Sequence, residues 1–248
     1  GAIRNQFNTV TETLDGGTSG VAFKDPADIP DPKRGTAFAV YSADDNSLMF
    51  YKRRGVPEVG DMFNDRRVTE VYTGFETTRY RVRATDDTEA HDWTCESLPW
   101  WNRRTHIQTV DVVDGGIAPS SISGWFMRMT DLASADLSNL DCVGVDTAWC
   151  AFLRCPSLTT LKSPKNLRPI DLRDFVYRCV RLKDLDASDW DLSRCQLISW
   201  AFANCSSLEA IHGAENWNVK SLKDADGAFG YSGSLKLDCS HWEVDSTA

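Results

Sequence analysis

The sequence predicts a leucine-rich-repeat solenoid of about five 24–27-residue repeats with short parallel strands, carrying a β-rich N-terminal cap. Two observations lead to this fold class. An internal repeat fills the C-terminal part of the chain, and alternating apolar and polar residues precede it. Repeats of 20–29 residues with L-x-x-L runs are typical of such solenoids, because each repeat buries its apolar positions against its neighbours.

The repeat is carried by three similar segments. In "AFLRCPSLTTL" (151–161), "FVYRCVRLKDL" (175–185) and "AFANCSSLEAI" (201–211), an apolar residue, a cysteine, a leucine and a leucine or isoleucine follow at steps of three. Two weaker copies, "WFMRMTDLASADL" (125–137) and "AFGYSGSLKLDC" (228–239), place Met and Ser where the others have Cys. The shared position recurs at Met129, Cys155, Cys179, Cys205 and Ser232, at spacings of 26, 24, 26 and 27 residues.

The repeated cysteine is best explained as a packing residue. Cys is a small side chain that is commonly buried, and Met129 and Ser232 replace it as they would in a packing position. A catalytic nucleophile would not recur at a structural period. Neighbouring cysteines lie within the range that a disulfide can span, but such a bond would be strained. We therefore expect Cys155, Cys179 and Cys205 to form a structural ladder of free, buried thiols.

These motifs, together with "DLDASDWDLSRCQLISWAF" and "DLSNLDCVGVDTAWCAF", resemble the BspA-like leucine-rich repeats of bacterial surface proteins, in the form found in mycoplasma lipoproteins. The resemblance covers roughly residues 107–248. Ala151, Ala201 and Ala228 stand where the family usually has Met. The resemblance implies a secreted or wall-attached protein, often adhesive, with no catalytic residues to transfer.

The rest of the chain divides into two further regions. Residues 1–35 are rich in Pro, Asp and Gly and are expected to form a partly disordered lead-in, and residues 36–106 a β-rich N-terminal cap domain. The segment "TAFAVYSADDNSLMFYKRR" alternates on either side of "ADDN" and predicts a hairpin. The repeats then occupy residues 107–248, with Val112 in a degenerate first repeat.

Charge and hydropathy restrict the partners and the location. The net charge of −9 argues against nucleic acid. No stretch approaches the roughly 18 apolar residues of a membrane span. We expect an extracellular or cell-wall-attached protein whose signal and anchor lie outside this chain.

Candidate binding residues follow from the repeat. In each repeat the residue between the last two core positions should project from the concave sheet. No cofactor and no metal site is predicted, because His91 and Cys95 in "HDWTCESLPWW" have no second pair at ligand spacing. Trp93, Trp100 and Trp101 form either a second surface or part of the cap's core. The predicted concave stripe consists of Asp136, Lys162, Asp186, His212 and Asp238.

The leading functional hypothesis is a non-enzymatic adhesion module that binds a protein of the host matrix or of a bacterial surface. A glycan ligand is the variant to prefer if the tryptophans are exposed. A spacer or stalk that presents another domain is the alternative from a second class. An enzyme is disfavoured, because the sequence shows no catalytic constellation.

Overall fold

The computed structural model describes residues 29–85 and 91–244. The predicted lead-in lies mostly outside these residues. Its last part is held to the body, since the Asp31 N–H donates to the Lys52 carbonyl at 2.9 Å.

Short strands dominate the described residues. Helix is limited there to two 3-10 turns, Trp101–Arg103 and Ala214–Asn216. The strands are β1 (Thr36–Ser42), β2 (Ser47–Arg53), β3 (Met62–Phe63), β4 (Arg66–Arg67), β5 (Glu70–Thr73), β6 (Arg83–Ala84), β7 (Trp93–Thr94), β8 (Thr109–Val112), β9 (Ser134–Asp136), β10 (Thr160–Lys162), β11 (Asp184–Asp186) and β12 (Ala210–His212).

The largest sheet has six strands in the order β10-β9-β8-β2-β1-β5 and is mixed. Strand β1 pairs antiparallel with β2 and with β5, which confirms the hairpin predicted around "ADDN". The pairs β2–β8, β8–β9 and β9–β10 are parallel. Three two-stranded sheets complete the set, β3–β4 and β6–β7 antiparallel and β11–β12 parallel.

The leucine-rich-repeat solenoid with a β-rich cap is therefore wrong as the fold class. The chain forms several small sheets, mixed and antiparallel, and the repeat strands do not form one continuous parallel sheet. The pairing ends between β10 and β11, in the shortest repeat. At this point the Ser163 hydroxyl donates to the Asp186 carbonyl. In the equivalent bonds of the other repeats the donor is a backbone N–H, that of Leu137 to Lys162 and that of Ala187 to His212.

The sequence repeat nevertheless has a structural counterpart. Thr160 pairs with Ser134, and Asp184 with Ala210, in parallel register. On another side of the repeats, single parallel bridges link equivalent residues from one repeat to the next. These bridged residues are Ser121, Thr147, Asp171, Leu197 and Asp224.

Each repeat turns at the same two backbone positions. The residue one before the Cys position has a left-handed φ in every copy. The residue five before the Cys position does as well. Left-handed φ is uncommon for residues other than Gly, so its recurrence marks a fixed turn of the repeat. The first set is Arg128, Arg154, Arg178, Asn204 and Tyr231, and the second is Gly124, Cys150, Asp174, Trp200 and Gly227.

One hydrophobic core extends through most of the described chain, with buried members from Ala37 to Ala228. The hairpin contributes Phe50, which stacks on Trp125 and meets the edge of Trp100. Trp100 is fully buried and donates its Nε1–H to the Trp125 carbonyl at 2.6 Å. Trp101 is also buried, so these two tryptophans belong to the core.

Candidate functional site

The predicted stripe is largely occupied by contacts within the protein. Asp136 and Lys162 are register partners, and the Lys162 Nζ donates to the Asp136 Oδ2 at 2.7 Å. Asp186 pairs in register with His212, whose Nε2 lies 3.5 Å from Asp184. Asp238 lies on the surface outside any strand.

The three aspartates of the stripe also form turns. Each accepts a backbone N–H from the serine two residues later: Asp136 from Ser138 at 3.0 Å, Asp186 from Ser188 at 3.0 Å and Asp238 from Ser240 at 2.9 Å. Asp-x-Ser turns of this kind satisfy a backbone donor two residues after the aspartate, and those at Asp136 and Asp186 follow the ends of β9 and β11. The aspartates thus have a structural reason to recur, and their role in binding stays a prediction.

The ladder cysteines are free and buried. Each donates its S–H at 3.1 Å to a carbonyl of the preceding repeat: Cys155 to Phe126, Cys179 to Phe152 and Cys205 to Val176. Ser232 uses the same contact, from its hydroxyl to the Phe202 carbonyl at 2.7 Å. Burial raises the pKa of the Cys179 and Cys205 thiols, so they remain protonated donors.

A more distinctive feature is an open side groove of about 690 Å³. One wall is the segment 79–82, and the floor is the line of bridged residues that includes Thr147 and Asp171. The wall segment alternates: Tyr80 and Val82 pack on the core, whereas Arg79 and Arg81 are exposed. This alternation fixes the backbone of the wall while its arginines stay in solvent.

Two guanidinium–carboxylate pairs flank the groove. Arg79 holds Asp146 with two bonds, Nη2 to Oδ1 at 2.7 Å and Nη1 to Oδ2 at 3.1 Å. Arg173 holds Asp171 similarly, at 3.0 Å from Nε and 2.7 Å from Nη2. This contact raises the pKa of Arg173, and planar pairs of this kind fix both partners in orientation.

Hydroxyl groups line the floor between these pairs. The Ser123 Oγ and the Thr147 Oγ1 lie 2.9 Å apart, and the Ser121 Oγ accepts the Ser123 N–H at 3.2 Å. Each hydroxyl has one donor and two lone pairs. Ser121 and Ser123 are buried and Thr147 is half-buried, so the Thr147 hydroxyl is the one of the three that is most open to a ligand.

Trp149 forms the inner wall and is held from three directions. Its ring lies 5.0 Å from the Trp93 ring, and the Arg173 guanidinium lies 4.7 Å from its centroid. Its Nε1–H donates to the Asp174 Oδ2 at 3.3 Å. The ring is therefore a fixed part of the wall.

A buried polar layer supports Trp149 from behind. Asp174 is buried, and its Oδ1 lies 2.9 Å from the Nδ1 of His91. Burial raises the pKa of Asp174, and the nearby His91 opposes that shift. The His91 ring packs between Tyr177 and Trp200, at 4.8 and 4.7 Å.

A second buried carboxylate links the same layer to two repeats. The Asp92 Oδ1 lies 3.0 Å from the Arg128 Nη2 and 3.4 Å from the Arg154 Nη1. Arg128 and Arg154 are equivalent residues of consecutive repeats, so Asp92 ties the segment around β7 to both. The layer behind the groove is thus fixed by charge as well as by packing.

Sequence reasoning missed this groove. Arg79 and Asp146 are 67 residues apart, and His91 and Asp174 are 83 apart, with no shared motif. One further residue of the stripe, Asp111, could have been predicted from the sequence. Asp111 lies 25 residues before Asp136, the same spacing that separates Val112 from Leu137. The structure pairs Asp111 with Asp136 in register.

The described residues contain no cluster of three or more His, Cys, Asp or Glu side chains that would suit a metal ion. Within the same part of the chain, no helix has the length and apolar character needed to cross a membrane. No family model, curated protein or solved structure matches this chain. The similarity to BspA-like repeats therefore stays a prediction.

Proposed function

We propose that this protein is a non-enzymatic binding module and that its ligand lies in the side groove beside Trp149. The observation that carries the proposal is the groove itself, an open surface with fixed walls and a floor of hydroxyls. Binding sites commonly combine a few placed polar groups with aromatic side chains in a preformed concavity. The groove has this composition.

The ionic pairs of the groove favour binding over acid–base chemistry. Asp146 and Asp171 are each held by two bonds from one guanidinium group. A bidentate contact of this kind engages both carboxylate oxygens and fixes the group in one orientation. Such groups orient a ligand without reacting with it.

We also propose that the module acts outside the cell. The support comes from the resemblance to bacterial surface repeats and from the state of the thiols. Seven of the eight cysteines are buried, and burial raises the pKa of Cys95 to about 11 and that of Cys195 to about 12. Protonated, inaccessible thiols oxidise slowly, so they are compatible with an oxidising environment.

A binding screen with two matched variants tests the proposal. The chain is screened against immobilised matrix proteins, bacterial surface proteins and glycans, beside the groove variant R79S/R81S and the stripe variant D186N/H212Q. We expect binding to one partner that the groove variant weakens about tenfold or more and the stripe variant leaves unchanged. Binding lost only in the stripe variant, or no binding to any partner, would overturn the proposal.

A further inference from the structure

We propose that the ligand of the side groove is an extended glycan that carries carboxylate groups, with Arg81 as the residue that pairs with a carboxylate. This inference rests on the proposed function and names the ligand class. Three features of the groove lead to it: a guanidinium group with no carboxylate partner in the part of the chain that the structure describes, a floor whose backbone is already hydrogen-bonded, and a half-buried aromatic ring.

Arg81 is the first feature. It is exposed and lines the groove between Tyr80 and Val82, which anchor the wall on the core. The carboxylates Asp146 and Asp171 are held by Arg79 and Arg173. Arg81 is therefore left without a carboxylate partner among residues 29–85 and 91–244. Its planar fork suits a carboxylate supplied by a ligand.

The floor of the groove does not suit a peptide that binds through its backbone. Its main-chain groups are used between repeats: Ile122 N–H donates to the Thr147 carbonyl at 3.1 Å, Ala148 N–H to Asp171 at 2.9 Å and Leu172 N–H to Leu197 at 2.8 Å. A peptide that adds as a strand needs unpaired backbone groups. The polar side chain of the floor that remains most open is Thr147, whose hydroxyl can bond a hydroxyl of a sugar.

Tyr80 supplies the apolar contact. It is half-buried in the groove wall, and burial raises the pKa of its hydroxyl, which therefore stays protonated. Trp149 is fixed by Arg173 and Trp93, whereas among the described residues Tyr80 has no stacked or edge-on aromatic neighbour. The exposed part of the Tyr80 ring can thus pack against the C–H face of a sugar.

Charge sets the density of carboxylates on the ligand. The groove lining holds two guanidinium groups, Arg79 and Arg81, and two carboxylates, Asp146 and Asp171. Arg173 holds Asp171 from beside the groove, so one positive charge is left among these five groups. The whole chain carries −9, so a densely sulfated polymer would be repelled at low ionic strength. A glycan with one carboxylate every second sugar matches the groove better.

The test uses a hyaluronan hexasaccharide, in which glucuronic acid alternates with N-acetylglucosamine, and the same hexasaccharide after its carboxylates are reduced to alcohols. Calorimetric titration of the full chain should show binding of the acidic form and about tenfold weaker binding of the reduced form. R81S should weaken the acidic form about tenfold as well, and R81K should recover part of the loss, since lysine keeps the charge but not the fork.

Three results separate this inference from the proposed function. Equal binding of the two hexasaccharides, or no effect of R81S, would overturn the role of the carboxylate. Binding of a protein through the groove with no binding of the hexasaccharide would overturn the glycan inference and leave the proposed function standing. No binding to any partner would overturn both. The thermal unfolding temperature of R81S is the control for misfolding, and it should equal that of the wild type.

Discussion

At the scale of single residues, the Cys position shows how one contact recurs in the repeats. Cys155, Cys179, Cys205 and Ser232 each donate to a carbonyl of the preceding repeat. A buried carbonyl without a donor costs about 1–3 kcal/mol. In these four copies the position holds a small side chain that can donate, a thiol or a hydroxyl, whereas Met129 fills it without a donor in the first copy.

Substitutions at Cys179 test this reading. C179S keeps a donor for the Phe152 carbonyl and should lower the free energy of unfolding by less than about 1 kcal/mol. C179V has a similar volume but no donor, and should lower it by about 1–3 kcal/mol. Urea denaturation measures both. A valine variant as stable as the serine variant would show that the position requires only volume.

Gly213 lies where two repeats approach closely. Its φ is +85°, and a Cβ there would lie 2.3 Å from the Cα of Ser188. Gly74 has a similar φ of +77°, with nothing within 4 Å of its Cβ position. The two glycines share a left-handed φ, and only Gly213 has a neighbouring chain within 4 Å of its Cβ position.

The pair G213A and G74A isolates that contact. Both variants carry the cost of a left-handed alanine, about 1–2 kcal/mol. G213A must also displace the backbone of Ser188. Its free energy of unfolding should fall by about 1–3 kcal/mol more, as it does at other overpacked sites. Equal losses in urea denaturation would contradict the close approach.

At the scale of elements, β8 joins the hairpin to the repeats. It pairs in parallel with β2 on one side and with β9 on the other. The register sets Asp111 beside Asp136. Burial raises the pKa of Asp111, and the Asp136 carboxylate raises it further, while Lys162 and Arg66 oppose the shift.

Removing the charge of Asp111 should stabilise this junction at neutral pH. The pKa of the folded state is raised, so the penalty is absent below about pH 3.9, where the carboxyl is protonated in both states. The penalty develops as pH rises through the raised pKa. D111N should therefore raise the free energy of unfolding by about 0.5 kcal/mol at pH 7, and this increase should shrink toward pH 4.

The control for this prediction is D131N. Asp131 is exposed, and its replacement changes the net charge by the same amount. Urea denaturation at pH 7 and pH 4 compares the two variants. A gain for D111N that is independent of pH, or one that D131N reproduces, would contradict the account.

The elements that sequence could predict are those set by local pattern. The "ADDN" hairpin was predictable because its strands alternate, and the spacing of the repeats locates strands near Leu161, Leu185 and Ile211. The end of the pairing between β10 and β11 was not predictable, because it depends on the Ser163 side chain replacing a backbone donor. The groove was not predictable either, since its walls meet only through tertiary packing.

At the scale of the whole molecule, the core and the polar layer hold the groove in a fixed shape. The core cluster includes residues from the hairpin, from the segment around β7 and from every repeat. Asp92 adds ionic contacts across the same junction, and His91 adds a polar contact with Asp174. The groove is therefore expected to be preformed, which lowers the entropic cost of binding.

Thiol reactivity measures the integrity of this core. Cys239 is exposed and the other seven cysteines are buried. A disulfide reagent should therefore modify one thiol quickly in the native protein. The other seven should react together, at the urea concentration at which tryptophan fluorescence changes. Fast reaction of several thiols in native buffer would contradict the packing of the repeats.

The location of the bound ligand tests the central claim most directly. Hydrogen–deuterium exchange is compared with and without the partner that the binding screen identifies. If the ligand lies in the side groove, exchange should slow at residues 79–85 and around Ser123 and Thr147, with no change at β11 and β12. Protection confined to β11 and β12, with the groove unchanged, would contradict it.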